Sequence, residues 1–271
     1  MDGKHYKLFS PGAIASIILF AAALASCKNA PNETVIAPTP TIPEATPILP
    51  TDTISPTSTP TQLPTTSTQS PYAFPALIDP AKRYLFYLHG KIIEDQGLPA
   101  FSPDYGEYEY EAILETLNGY GFVVISEIRP KNTHGVAYAK KIAGQAAALL
   151  EAGVPAKNIT VVGASKGAAI AVYVSHFLEN KAVNFVILAI CHLDEVAVLI
   201  QEQISLYGNV LSIYDSNDEF AGSCRDLFAF SEGKGIGKYD EVVLNLGMGH
   251  GILYMPLDQW IIPVIQWAGK E

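Results

Sequence analysis

From Tyr72 onward, short apolar runs bounded by turn residues alternate with longer stretches of helical spacing, and this alternation limits the folds open to the chain. YLFYL (84–88), FVVIS (122–126), ITVV (159–162), FVILAI (185–190), VLSIY (210–214) and EVVLNL (241–246) read as strands. Residues 107–117, the Ala-rich 136–153 and 165–178 read as helices, and an amphipathic segment at 257–267 follows the last strand. Continuously apolar strands need cover on both faces. Regular alternation with helices then implies an α/β fold, a doubly wound and mostly parallel sheet with helices on both faces. The interval between Ile190 and Val210 has room for one helix but no cap domain. Ligands of such sheets bind beyond the carboxyl ends of the strands, so functional residues are sought just after strands.

Composition divides the chain. Ten of its 19 prolines lie between Pro31 and Pro71, and residues 28–71 contain neither Gly nor an aromatic residue. Such a segment has too little apolar area to offset chain entropy. It reads as a Pro/Thr-rich tether stiffened toward polyproline II. The folding unit is then 72–271, about 200 residues, enough to bury a core without staples. A net charge of −10 argues against a nucleic-acid partner, which needs a basic face. Three cysteines are too few for a disulfide scaffold, and no Cys/His cluster has zinc spacing. No metal or other cofactor is therefore expected.

The strand ends carry the chemistry. Gly163-Ala164-Ser165-Lys166-Gly167 lies between a β-branched strand and an Ala-rich helix. A strand turning sharply into a helix raises the Ser hydroxyl above the sheet, and the two glycines remove side chains that would collide there. Ser165 is the expected nucleophile; an N-cap is the plainer alternative. An alcohol needs a base to hold its proton. His250 follows the last strand in the Gly-rich turn Gly247–Gly251. His192, also after a strand, is the second candidate, while His176 and His134 read as structural or capping. The base needs a carboxylate, and Asp218 is favoured over Asp215, both after the fifth strand.

The order Ser165, Asp218, His250 on three strand ends resembles the α/β-hydrolase superfamily, in a compact form like small esterases and dienelactone hydrolases. The resemblance spans about 200 residues from Ala81 or so to the C-terminus. It implies that His89-Gly90-Lys91 begins an oxyanion loop, with the backbone N–H groups of Lys91 and Lys166 as donors. It places His89, Gly90 and Met248 against substrate, with Phe101 and Tyr105 as further pocket walls. A charged Lys91 departs from the usual pattern. Lys166 beside the nucleophile is also unusual, and either steers an anionic substrate or points into water. Cys191 and Cys224 follow strands that are adjacent in the family's sheet, and an exported compartment permits a disulfide between them.

The N-terminus is an address. Lys4 and Lys7 precede an apolar run of about a dozen residues, short of the ~20 that span a membrane. Its end, Leu24-Ala25-Ser26-Cys27, resembles the lipobox of bacterial lipoproteins. The resemblance implies a signal peptide over 1–26, lipidation of Cys27, and export to a bacterial envelope, anchored in the membrane by acyl chains. The expected protein is thus a membrane-anchored, monomeric serine hydrolase that cleaves a small carboxylic ester through an acyl-enzyme. The alternative is a catalytically inactive lipoprotein that binds a ligand or partner in the same cleft.

Overall fold

A computed structural model describes residues 70–269. The segments read as a signal peptide and a tether, with Cys27 between them, lie outside the described residues up to residue 69. In chain order the elements are β1 (Tyr84–Leu88), α1 (Lys91–Gln96), β2 (Phe101–Ser102), β3 (Gly106–Glu107), α2 (Tyr110–Gly119), β4 (Val123–Ile125), α3 (Gly135–Glu151), β5 (Ile159–Ala164), α4 (Lys166–Leu178), β6 (Asn184–Leu188), α5 (Leu193–Gln201), β7 (Gly208–Asp215), α6 (Arg225–Ser231), β8 (Ile236–Leu244) and α7 (Asp258–Trp267).

Six strands form one sheet in the order β4-β1-β5-β6-β7-β8, and every pairing is parallel. The pleat sends successive side chains to opposite faces. Tyr84, Phe86 and Leu88 of β1 join a core under α3 and α4, together with Ala139, Ile142 and Ile170. Leu85 and Tyr87 join a second core under α2 and α7, with Ile113, Trp260 and Val264. Helices therefore cover both faces, and the fold is the doubly wound α/β sheet that the α/β-hydrolase resemblance implies. A single helix, α5, fills the interval between β6 and β7, so there is no cap domain. Among the described residues, no helix is long and apolar enough to cross a membrane.

Several boundaries differ from expectation for physical reasons. β6 stops at Leu188, two residues early, because Ala189 and Cys191 turn to φ 53° and 69°. β8 starts at Ile236, five residues early. It is an edge strand with many exposed residues, so its first half carries no continuous apolar run. The hairpin β2–β3, the short α1 and α6 carry no periodic signal of their own and were not anticipated.

The topology also places a crevice. The chain leaves β1, adds β4 on one side, then returns to add β5 on the other. The loops after β1 and β5 diverge at that reversal, which is where open α/β sheets bind ligands. These are the loops of Gly90 and Ser165.

Cys191 and Cys224 are bonded to each other, 33 residues apart, with a Cα–Cα distance of 5.2 Å. Beside them the Gly222 N–H donates to the Ile190 carbonyl at 2.9 Å. Together these contacts staple the loop after β7 to the loop after β6. Removing a link that closes a loop of this length should cost about 3–4 kcal/mol. The Cys191→Ser/Cys224→Ser double variant should therefore unfold at lower urea concentration than the oxidised parent. An unchanged midpoint would contradict this.

Candidate active site

The turn from β5 into α4 is built on backbone contact. A Cβ on Gly163 would lie 2.2 Å from the Gly167 carbonyl oxygen, and one on Gly167 would lie 1.8 Å from the Leu88 carbonyl oxygen. Only hydrogen fits at either place. Between them Ser165 is held at φ 53°, ψ −120°, a conformation that costs an L-residue free energy and persists only under such constraint. It stands at the N-terminus of a thirteen-residue helix, where the dipole favours negative charge. Its hydroxyl makes no capping hydrogen bond, so the plainer N-cap reading does not describe it.

His250 lies in a one-turn 3₁₀ segment, Gly249–Leu253, after β8. Its Nδ1 is 2.8 Å from Asp218 Oδ2, and the Asp218 side chain is fully buried. The other oxygen of Asp218 accepts the Phe220 N–H at 2.9 Å. The Phe220 ring meets the imidazole edge-on, with centroids 5.5 Å apart. Asp215 has a different task. It is buried, and its oxygens accept N–H groups from Asn217 and Leu246, at 2.9 and 2.8 Å. Burial alone would raise its pKa. Hydrogen bonds from the backbone of Asn217, Leu246, Gly249 and Met248 outweigh that and hold it below the ordinary value. Asp215 thus fixes the loop that carries His250, and Asp218 is the carboxylate that meets the ring. His192 is exposed at the start of α5 and has no carboxylate bonded to it among the described residues.

A run of contacts leads from Ser165 to the His250 turn. A Cβ built on Gly90 would be 3.7 Å from Ser165 Cβ and 3.8 Å from the Tyr108 ring. Tyr108 packs on Tyr254 (centroids 5.0 Å apart), and Tyr254 on Tyr105 (5.2 Å). Tyr105 in turn lies against Gly251, next to His250. Among the described residues His250 is hydrogen-bonded through Nδ1 to Asp218, and no hydrogen bond joins it to Ser165 Oγ; catalytic hydrogen bonds of this kind often tighten only when substrate binds. Met248 is half-buried against the core that includes Tyr108 and Tyr254, while Phe101 on β2 is largely exposed.

The residues expected at and beside an oxyanion loop differ from expectation in two places. His89 is expected against substrate, but it has no exposed surface. Its Nε2 accepts the Arg129 N–H at 3.0 Å, so Nδ1 carries the proton and donates to the Gly90 carbonyl at 2.8 Å. His89 therefore shapes the loop from beneath. Burial, then the Arg129 charge, lowers its pKa from 6.5 to about 3. The Lys166 side chain is tied to the protein rather than extended into water. Its Nζ donates to Glu94 Oε1 at 2.5 Å and to the Thr133 carbonyl at 2.9 Å. Glu94 is buried and also accepts from Arg129 Nε at 3.2 Å. Arg129 Nη2 bonds the His89 carbonyl, and its Nη1 is buried with no protein partner. Neither Glu94 nor Arg129 carries a sequence signal of its own, because the cluster joins three separate loops. Lys91 and Lys166 are the first residues of α1 and α4, positions whose N–H groups have no intrahelical partner. The Lys91 side chain pairs with Asp95 on the surface.

A depression of about 520 Å³ lies between the loops after β6 and β7, lined in part by His192, Leu193, Glu219 and Arg225. It adjoins the Asp218 loop and touches neither Ser165 nor the Gly90 loop.

No protein-family model and no curated protein matches the chain. Among solved structures it is similar to SOBER1 of Arabidopsis thaliana, with 12% identity and a TM-score of 0.44, over 70% of this chain and 100% of that one. It is also similar to the feruloyl esterase module of Clostridium thermocellum, with 14% identity and a TM-score of 0.35, over 67% of this chain and 79% of that one. Likenesses this weak decide nothing about chemistry, and the fold class rests on the strand order.

The state of His89 gives a test in acid. The unfolded chain takes up this proton below about pH 6.5, while the folded chain holds His89 neutral down to about 3. Its contribution to stability is complete above 6.5 and is lost as pH falls toward 3. At pH 5 the loss should be about 2 kcal/mol. Denaturant titrations at pH 7.5 and 5 should show that fall in the parent and a shallower one in His89→Gln. Parallel profiles would contradict it.

Proposed function

We propose that this protein is a serine hydrolase that cleaves carboxylic esters through an acyl-enzyme on Ser165. One observation carries the reading. A serine held in a strained turn between two obligatory glycines stands beside the loop after β1, in a sheet where the loop after β8 presents an imidazole bonded to a buried carboxylate.

In this reading His250 takes the Ser165 proton as Oγ attacks the ester carbonyl. Asp218 fixes the tautomer, leaving Nε2 free toward the cleft, and stabilises the imidazolium. The Lys91 and Lys166 N–H groups receive the oxyanion, each worth about 3 kcal/mol of barrier. His250 then protonates the leaving alcohol, and water attacks the acyl-enzyme by the same route. With no cap domain the cleft suits small or surface-bound esters. A lipid on Cys27 would anchor the chain in a bacterial envelope. Residues 28–71, at ~3.1 Å each when extended, would let the domain stand on the order of 100 Å from the membrane.

The test uses the full chain and chromogenic esters of graded acyl length. Short esters should be turned over. Ser165→Ala should abolish turnover, and Asp218→Asn should lower kcat by about 10⁴. Turnover that survives Ser165→Ala would overturn the reading. Anchoring is checked separately: radiolabelled palmitate should enter the protein in cells and fail to enter Cys27→Ser.

A further inference from the structure

The charged cluster beneath the oxyanion loop is not explained by the hydrolase reading alone. Glu94, Arg129 and Lys166 come from the segments that follow β1, β4 and β5, and meet where the side chains of Glu94 and Arg129 are essentially without solvent. The Lys166 side chain is 15% exposed. We infer that this cluster sets the spacing of the two oxyanion donors and places surplus positive charge behind them, so that the side chain of Lys166 is a positioning residue for ester hydrolysis. The inference rests on the hydrolase reading and deepens it.

The geometry gives the reason. The two donors belong to segments that are distant in sequence, Lys91 at the start of α1 and Lys166 at the start of α4. Lys166 Nζ reaches across from the nucleophile's turn to Glu94, which lies on α1 one turn beyond Lys91. Arg129 grips the same loop from the other side, through the carbonyls of His89 and Gly90 and through Glu94. Lys166 also holds the Thr133 carbonyl, so three loops are joined at one ammonium group. Displacing either donor by an ångström would weaken the oxyanion contact, which works only at about 2.7–3.1 Å.

The charge count points the same way. Two cations face one carboxylate, and His89 beside them stays neutral, so the cluster carries about one unit of positive charge in a low-dielectric place. Asp95 and Glu127, the other acids nearby, are paired at the surface with Lys91 and Lys141. Apolar side chains of equal volume would stabilise a fold at least as well as buried ions do. A surplus buried cation is therefore costly as mere packing. It is useful where negative charge develops on an oxygen held by the N–H groups of Lys91 and Lys166.

The experiment compares the full-length parent with Lys166→Met, which keeps the backbone N–H and leaves Glu94 paired with Arg129. Five quantities are read: kcat and KM on a short chromogenic ester, affinity for an alkylboronic acid that forms a tetrahedral adduct on Ser165, affinity for the product carboxylic acid, and labelling by a fluorophosphonate. The expected result is a fall in kcat of about 10–100-fold. Boronate affinity should drop by a similar factor, with KM and product affinity nearly unchanged. Lys166→Gln is read in the same way if the methionine variant does not fold. A parent that is labelled and active, with a variant matching it in kcat and boronate affinity, would overturn the inference alone. A parent that neither turns over esters nor takes the label would overturn the hydrolase reading and the inference with it.

Discussion

The site depends on a contact between two backbones. Gly167 at the start of α4 lies against the Leu88 carbonyl at the end of β1, and Gly163 lies against Gly167. No other residue type allows the strand-to-helix turn to settle so low on the sheet. Because it does, Ser165 is forced to positive φ, the N-terminus of α4 points at the crevice, and the Gly90 loop closes to within packing distance of the serine. The strain at Ser165 is held by these contacts, which belong to the core of the sheet rather than to the cleft.

Three carboxylates near the strand ends show how environment assigns roles. Asp215 is saturated by backbone N–H groups and holds the shape of the loop after β8. Asp218, three residues on, keeps one oxygen for its own turn and gives the other to His250. Glu94 is buried among cations and ties loops together. The disulfide has a comparable part on the far side, since it pins the Asp218 loop to the loop after β6.

Much of this was legible in the sequence. Six apolar runs marked the six strands of the main sheet, since a strand buried on both faces must be apolar throughout. The Gly-x-Ser-x-Gly segment located the sharp turn because both glycines answer to sterics that act within a few residues. Boundaries were less legible where the backbone departs from regular geometry, as at Ala189 and Cys191, or where β8 runs along the sheet edge and needs little apolar surface. The choice between Asp215 and Asp218 could be weighed but not settled, because it depends on which oxygen a distant loop reaches. The roles of His89 and Lys166 are hidden from the sequence for the same reason. Arg129 lies 35 residues from Glu94 and 40 from His89, Glu94 lies 72 from Lys166, and these groups meet only in the folded chain.

In the proposed mechanism Ser165 and His250, linked by contacts through Gly90, Tyr108, Tyr254 and Tyr105, act on the same bond. The most direct measurement is a crystal structure of the protein after reaction with a small fluorophosphonate. The account predicts density continuous with Ser165 Oγ, His250 Nε2 within about 3.2 Å of that oxygen or of the bound group, and the phosphonyl oxygen between the N–H groups of Lys91 and Lys166. An adduct on another residue, or an imidazole lying roughly a dozen ångströms from Ser165 with the group in place, several times a normal hydrogen bond, would contradict it.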